Sequence, residues 1–510
     1  MENWKRKIFF WILVLLFFIT VPVVILNAKG YRFDKNRGVF VHSGTITFKS
    51  NPQTVEAKLD EELFESKKIN RINSSYNLSG LIPGTYNFQI SAENFWPWSK
   101  KVEVHSGVAS EFWNVLLVRK NYEKTEIDAP GIQKFFTSPK NDLLSYTLNS
   151  DNNLVIKIFN ISSAQIEKEF SFAGWQFIID ESRKENIEWS PEESFISIPV
   201  EKTSQLEVPK NKIIRSKNQT PEIKTEYNYF IADIANDKTF DLRELLKLDN
   251  IRSARWDSKE KGFLFFLNND ILYRVDINNV QDISQIATDV SSYDISGSEI
   301  FYSKIGNGLL FKNNLDGKAD PVQITSNFPD ESVLPVNSMV IYDDSRMAII
   351  SKNGDLFIYN EGEHDNYFRK IGSGIQEAHF SNDGKKLLFW SNNEISVYFL
   401  RDQTAQPIRS ENEMETVTRY SEPIKNIQWF SDYEHIIFSS GKWIKIIEID
   451  LRDRANCMDL LNTETTDPFV IYNNSLEKLY FTDTKNEISN LYSIDFPEKT
   501  SLLQVIGIGG

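Results

Sequence analysis

The chain has 510 residues, of which 41% are hydrophobic and 13% aromatic, a formal charge of −14 and one cysteine. That length exceeds a single ordinary core and predicts two or three domains. The acidic balance argues against nucleic acid, whose binders carry a basic face to meet phosphate, and Cys457 alone excludes an intrachain disulfide.

The N-terminus is expected to divide into a short cytoplasmic stretch, 1–7, and an uncharged apolar run, 8–26. At 1.5 Å per residue that run spans about 28 Å, close to the ~30 Å hydrocarbon core of a bilayer. Lys5, Arg6 and Lys7 precede it and should stay on the cytoplasmic side, placing the rest of the chain outside the membrane. A cleaved signal peptide needs a shorter apolar region ending in small residues. The exit here reads Leu26-Asn27-Ala28-Lys29, so an uncleaved single-pass signal anchor is expected. Residues 27–42 read as a juxtamembrane linker.

Between 43 and 120 the sequence alternates with period two. The run from Gly44 to Asn51 is stopped by Pro52, Val55 to Leu59 ends at Asp60-Glu61, and Pro83-Gly84 turns into the strand from Thr85 to Ile90. One apolar face per strand predicts a small sandwich of two short sheets. The order Ser50-x-Pro52, Asp60 turn, Leu81-x-Pro83-Gly84-x-Tyr86, Glu93-Asn94-Phe95, Lys101-Val102-x-Val104 and Gly107 resembles a PEGA domain. That family is a small β-sandwich found mostly in bacterial surface proteins, and the resemblance implies a spacer or adhesion module without catalysis. The chain departs from it at Pro52-Gln53-Thr54-Val55, where the name-giving tetrapeptide would stand, and at Asp60-Glu61 in place of Asp-Gly.

Residues 121–131 are polar and contain Ala129-Pro130-Gly131, a predicted linker. From 132 to 510 one pattern recurs. In its clearest copy His379 and Phe380 lead into Ser381-Asn382-Asp383-Gly384, then the apolar run Leu387 to Trp390, then Asn392-Asn393, then Ile395 to Leu400. Asp-Gly and Asn-Asn suit the positive φ of tight hairpins, so the copy reads as three antiparallel strands. Lead segments centre on Phe135 to Pro139, Ile187 to Pro191, Ala254 to Ser258, Ser292 to Ser296, Met339 to Asp343, Ala378 to Asp383, Ile427 to Ser431 and Val470 to Asn474. Their spacing, mostly about 37–55 residues, suits four-stranded blades. The expected architecture is all-β: an N-terminal transmembrane helix, a small sandwich and a seven- or eight-bladed β-propeller. Trp189-Ser190-Pro191-Glu192 and Phe380-Ser381-Asn382-Asp383-Gly384 resemble the signature of TolB-like and WD40-like propellers, which implies fold and says little of function. Arg419-Tyr420-Ser421-Glu422-Pro423-Ile424, Trp429-Phe430-Ser431-Asp432 and Glu448-Ile449-Asp450-Leu451-Arg452-Asp453 resemble a single-pass PEGA-plus-propeller family of small-genome candidate-phylum bacteria.

Catalytic constellations are missing from the sequence. A serine hydrolase needs a G-x-S-x-G elbow, and none occurs, nor does a P-loop or a C-x-x-C. The histidines His42, His105, His364, His379 and His435 show no ligand spacing. The turns at Asn382-Asp383-Gly384 and Asn314-Leu315-Asp316-Gly317 offer too few oxygens for calcium, so no metal and no cofactor is expected. One departure from the acidic background is an insertion between Lys202 and Lys224 that carries Lys210, Lys212, Arg215 and Lys217. It reads either as a solvated loop or as a contact for an acidic partner or anionic wall polymer. The expected function is therefore a membrane-anchored extracytoplasmic binding or scaffold protein, contacting a protein or a cell-wall glycan. The alternative is an extracytoplasmic hydrolase acting on glycan or ester substrates in the propeller channel. A signalling receptor is disfavoured by the short cytoplasmic stretch.

Overall fold

The computed structural model describes residues 3–64, 69–70, 75–150, 153–178, 185–205 and 223–497. The charge-free run lies inside one helix, Asn3–Ala28, of a length and apolarity able to cross a membrane. Its end is closed by Lys29 N–H donating to the Ile25 carbonyl at 3.0 Å and Gly30 N–H to that of Asn27 at 3.0 Å. Within the stretch expected to serve as a linker, Tyr31–Asp34 and Val39–His42 pair as an antiparallel hairpin, with Phe33 opposite Phe40.

The period-two segment forms two four-stranded sheets. One runs Ala109–Leu116, Gly44–Asn51, Ser75–Leu81, Ile69–Asn70; the other runs Glu62–Phe64, Glu56–Leu59, Gly84–Ser91, Trp98–Val104. Alternation sends Ile46, Phe48, Phe88, Ile90, Trp98 and Phe112 into a common core, where Phe48 stacks on Tyr76 at 4.8 Å between ring centroids. Burying such aromatic faces is the main driving force for a unit this small.

The repeats build eight sheets arranged as a β-propeller. Blade 1 spans Ile132–Thr137 to Gln165–Ala173, and blade 2 spans Gln176–Phe177 to Lys238–Asp241. Blade 3 spans Ile251–Trp256 to Asn279–Ala287, blade 4 Val290–Ser296 to Val322–Gln323, and blade 5 Val336–Asp343 to Asn366–Gly372. Blade 6 runs from Glu377–Phe380 to Met414–Arg419 and blade 7 from Ile424–Trp429 to Cys457–Asn462. Blade 8 consists of Val470–Asn473, Lys478–Lys485 and Ile488–Asp495. It is completed by Thr125–Ile127, which pairs with the last of these through Glu126 opposite Tyr492. The stretch 121–131, read from sequence as a linker, thus supplies the strand that closes the ring.

Sheets covered on both faces should hold unbroken apolar strands, and the second strand of blade 6, Lys386–Trp390, is buried throughout, as is that of blade 7, His435–Ser440. The core is divided into eight layers, one between each pair of adjacent blades. The layer joining blade 8 to blade 1 packs Tyr480 and Leu491 against Phe135, Leu144 and Tyr146. The serine of the repeated signature is a turn device. The backbone N–H of Ser190 and of Ser381 donates to the carbonyl five residues on, and each hydroxyl accepts the returning N–H at 3.0 Å. Gly384 sits at φ +64°, where a Cβ would also run into the Tyr342 ring of blade 5. Asn392 and Asn393, expected to adopt positive φ, do not. Their turn is instead a compact one in which Ser391 N–H reaches the Glu394 carbonyl at 3.0 Å.

Sandwich and propeller are joined by a buried polar seam. The Lys100 side chain is 0% exposed, and its ammonium sits 2.7 Å from the Glu448 carboxylate while donating to the carbonyls of Asp450 at 2.7 Å and Arg452 at 3.0 Å. Trp98 Nε1 donates to the other Glu448 oxygen at 2.8 Å. Gln406, in the loop between the third and fourth strands of blade 6, accepts from Glu111 N–H at 3.0 Å and donates to the Ala109 carbonyl at 3.0 Å. Arg452 stacks over Phe112 at 4.2 Å and donates to the Glu111 carbonyl at 2.8 Å. Beside this seam His435 is buried, with Nδ1 2.7 Å from Asp432 and Nε2 without a partner among the described residues.

Candidate functional site at the channel mouth

The innermost strand of every blade lines the axis, so residues at one register position form a ring. In blades 2, 3 and 4 that position holds Glu188, Arg255 and Asp294. Arg255 Nε donates to Glu188 at 3.1 Å and its Nη1 to Asp294 at 3.0 Å. The second Asp294 oxygen accepts Ile341 N–H of blade 5 at 2.9 Å, so one charged girdle ties four blades together. The tryptophan after this position does related work across the gap in blades 3 and 7. Trp256 Nε1 donates to the Glu188 carbonyl at 3.0 Å, and Trp429 Nε1 to the His379 carbonyl at 3.1 Å.

The Arg255 side chain is 44% exposed, to the lumen of the channel, yet is ringed by protein and carboxylates. The Glu188 and Asp294 charges hold it cationic. Burial pushes Glu188 above the usual carboxylate range while Arg255 pulls it back. Burial likewise raises Tyr293, whose hydroxyl donates to the Ser253 carbonyl. One oxygen of each girdle acid accepts from the same guanidinium, while Glu188 Oε2 is buried without a partner among the described residues. The girdle works as a clamp between blades.

Towards one end of the channel the walls open into a cavity of about 850 Å³. It is bounded by the starts of the innermost strands and by the turns between second and third strands, such as Ser351 to Gly354 of blade 5. Its wall carries Gln133, Asn186, Asn337 and Asn353, all exposed, with Lys352 among them. Their side chains make no hydrogen bond to another described residue. Trp390 closes one side, edge-on to His379 at 5.1 Å. Amides supply donors and acceptors in fixed number, and Glu185, Glu377, Asp467, Lys134 and Lys425 line the same cavity.

In an antiparallel blade the turns between first and second strands and between third and fourth lie at one end, and the remaining connections at the other. The seam uses loops between third and fourth strands, near Gln406 and Arg452, whereas the mouth uses the opposite connections. Mouth and sandwich therefore occupy opposite faces of the propeller.

Of the residues singled out in the sequence, Lys210, Lys212, Arg215 and Lys217 lie outside the described residues. The strands that flank the insertion, Phe195–Gln205 and Ile223–Asp233, pair as far as Gln205 opposite Ile223, and that end of blade 2 is on the mouth face. The two acidic turns weighed for calcium spend their carboxylates locally. Asp383 accepts from the Ser381 hydroxyl at 2.6 Å and Lys385 N–H at 3.1 Å, and Asp316 from Lys318 N–H at 3.1 Å. Neither the girdle nor the mouth was singled out in the sequence. A signal for the girdle was present: Glu188-Trp189, Arg255-Trp256, His379-Phe380 and Gln428-Trp429 place a polar residue before an aromatic one at the same point of successive lead segments.

No family model and no curated protein matches the sequence. Among solved structures the chain is similar to the β-propeller domain of Myceliophteria thermophila Cps50 (Swd1), at 11% identity and a TM-score of 0.40 over 72% of this chain and 98% of that one. The Dos1 propeller is similar at 12% identity and a TM-score of 0.46, over 73% and 94% of the two chains. Porphyromonas gingivalis dipeptidyl peptidase 4 is similar at 9% and 0.43, over 75% and 61%.

Proposed function

We propose that this protein is a membrane-anchored binding or scaffold protein that presents the propeller mouth to a protein partner outside the membrane. The observation that carries the reading is the contrast in hydrogen bonding. Arg255 of the girdle is committed to Glu188 and Asp294, whereas Gln133, Asn186, Asn337, Asn353 and Lys352 face an 850 Å³ opening with their side-chain hydrogen bonds unmade. The helix Asn3–Ala28 is proposed as a single-pass anchor with Lys5, Arg6 and Lys7 on the cytoplasmic side. The sandwich, which resembles a PEGA domain in its turns, then acts as a pedestal at a bacterial cell surface. Because the seam fixes it to the face opposite the mouth, the mouth is held away from the bilayer. The basic insertion of blade 2, whose Lys210, Lys212, Arg215 and Lys217 lie outside the described residues, is proposed as a contact for an acidic partner. Its charge reversal should slow association at low salt.

The test is a comparison of full-length variants in intact cells. Asn337→Arg with Asn353→Arg should abolish capture of the partner seen with the wild-type protein, at unchanged expression. Capture undiminished by the double substitution contradicts the mouth as the binding surface. Retention of soluble glycan in place of protein would transfer the reading to a cell-wall ligand. Turnover of a glycan or ester panel, expected to be absent, would favour the hydrolase.

A further inference from the structure

The short hairpin that follows the helix is built with its apolar side outward. Tyr31, Phe33, Phe40 and His42 share one face, since Tyr31 pairs with His42 and Phe33 with Phe40. Phe33 is 50% exposed and Phe40 38%, with their rings edge-to-face at 5.3 Å. An isolated two-stranded hairpin in water would not favour this arrangement. Lys35 and Arg37 in the hairpin turn and Lys29 just before the first strand are all exposed, in a chain whose overall charge is −14. The one acid of the hairpin, Asp34, is buried, accepting from Asn36 N–H at 2.9 Å and Arg37 N–H at 3.2 Å through one oxygen, while the other lies 3.5 Å from Nε of the Arg37 guanidinium, whose side chain is 65% exposed. A groove of about 510 Å³ separates the hairpin tip from the Pro83-Gly84 turn of the sandwich, with Phe33, Pro83 and Tyr86 inside it and Lys35 and Arg37 at its edge.

The hairpin's position is fixed as well as its composition. Only Lys29 and Gly30 separate Ala28, the end of the helix, from Tyr31. At ~3.3–3.6 Å per residue, that tether holds the first strand within about 10 Å of the helix end. Headgroup layers fill the outer ~5–8 Å of each side of a bilayer. Arg32 holds the direction. Its guanidinium donates to the Asn27 carbonyl at 3.2 Å and to that of Tyr31 at 3.0 Å, and its other side lies against Gly80 of the sandwich.

We infer that residues 31–42 form a lipid-contacting hairpin, with Phe33 and Phe40 seated in the interfacial layer and Lys29, Lys35 and Arg37 on the phosphates of anionic phospholipids. This rests on the reading of Asn3–Ala28 as a membrane anchor. Aromatic rings prefer the depth between headgroup and acyl chain, and each basic side chain adds attraction to an anionic surface. The helix, the hairpin and the sandwich then make one oriented stand.

The experiment uses full-length protein carrying Cys457→Ser, reconstituted in vesicles of phosphatidylethanolamine and phosphatidylglycerol. An environment-sensitive fluorophore is attached at Phe33→Cys, at Ile12→Cys within the helix, or at Val322→Cys on the outer edge of blade 4. Lipids with a quencher near the headgroup should remove about half of the emission at position 33 and less than about a tenth at 322. Quenchers deep in the acyl chains should act on position 12 more than on 33. Raising the phosphatidylglycerol fraction should increase quenching at 33, and adding Lys35→Glu with Arg37→Glu should reverse that increase. Quenching at 12 with none at 33 overturns the hairpin inference and leaves the anchor standing. No quenching at 12 overturns the anchor, and the hairpin with it. A second fluorophore, at Phe40→Cys, must agree with the first; disagreement between them also overturns the inference.

Discussion

The seam between sandwich and propeller and the mouth of the channel are both polar, and both lie where separate pieces of the fold meet. They differ in what their polar groups do. At the seam the buried donors are largely used: Lys100 on Glu448 and three carbonyls, Trp98 on Glu448, the Gln406 amide on the carbonyl of Ala109 and Glu111 N–H on Gln406, with His435 Nε2 the exception. At the mouth the amides of Gln133, Asn186, Asn337 and Asn353 remain open to solvent. Buried polar groups must be satisfied within the protein, and exposed ones need not be. The first arrangement holds the molecule together, and the second leaves hydrogen bonds for something else.

The largest break in that comparison should come from Lys100→Met. Removing one partner of a fully buried pair strands the other, a loss of about 3–5 kcal/mol. It should appear as a lower urea midpoint for the full-length protein in detergent, and adding Glu448→Gln should recover part of it. Arg255→Met should cost less, about 1–2 kcal/mol, because the Arg255 side chain is 44% exposed and solvent screens its ion pairs. Its pH dependence has a defined sign. Burial raises Glu188, so without Arg255 its charged form is the unfavourable one. The loss should be greatest near neutral pH and shrink as the pH falls and Glu188 takes a proton.

His435→Gln comes next, at about 1 kcal/mol and only in part of the pH range. Burial opposes its charge, but Asp432 at 2.7 Å, with Glu448 and Glu434, outweighs burial and lifts the imidazole above the ordinary histidine value. A raised folded-state value means the charged form contributes stability below about pH 6.5 and loses it as pH rises through the folded value. The difference in thermal midpoint between wild type and variant should therefore narrow above neutrality. Smallest of all, Asn337→Ala or Gln133→Ala should move stability by less than about 0.5 kcal/mol while weakening partner binding.

The scaffold was legible because its signals are local. Ser190 and Ser381 each bond to the carbonyl five positions on, Gly384 supplies the positive φ of the second turn, and Leu387 to Trp390 is apolar because both faces are covered. The closing strand Thr125–Ile127 is too short to show a period. The girdle joins residues 67 and 39 positions apart, and the seam joins Trp98 to Glu448 across 350, so no window along the chain contains either. The mouth was hidden for another reason. Its asparagines and glutamines look like ordinary turn residues until eight blades bring them around one opening.

The central claim is that the mouth face, and not the face bearing the sandwich, meets the partner. A photo-crosslinking side chain placed at Asn337 on the mouth, and separately at the exposed Lys261 in the turn between the first two strands of blade 3, tests it in intact cells. The account predicts a discrete adduct from position 337 that disappears with Asn353→Arg, and none from position 261. The same adduct from both positions, or one from 261 alone, would contradict it.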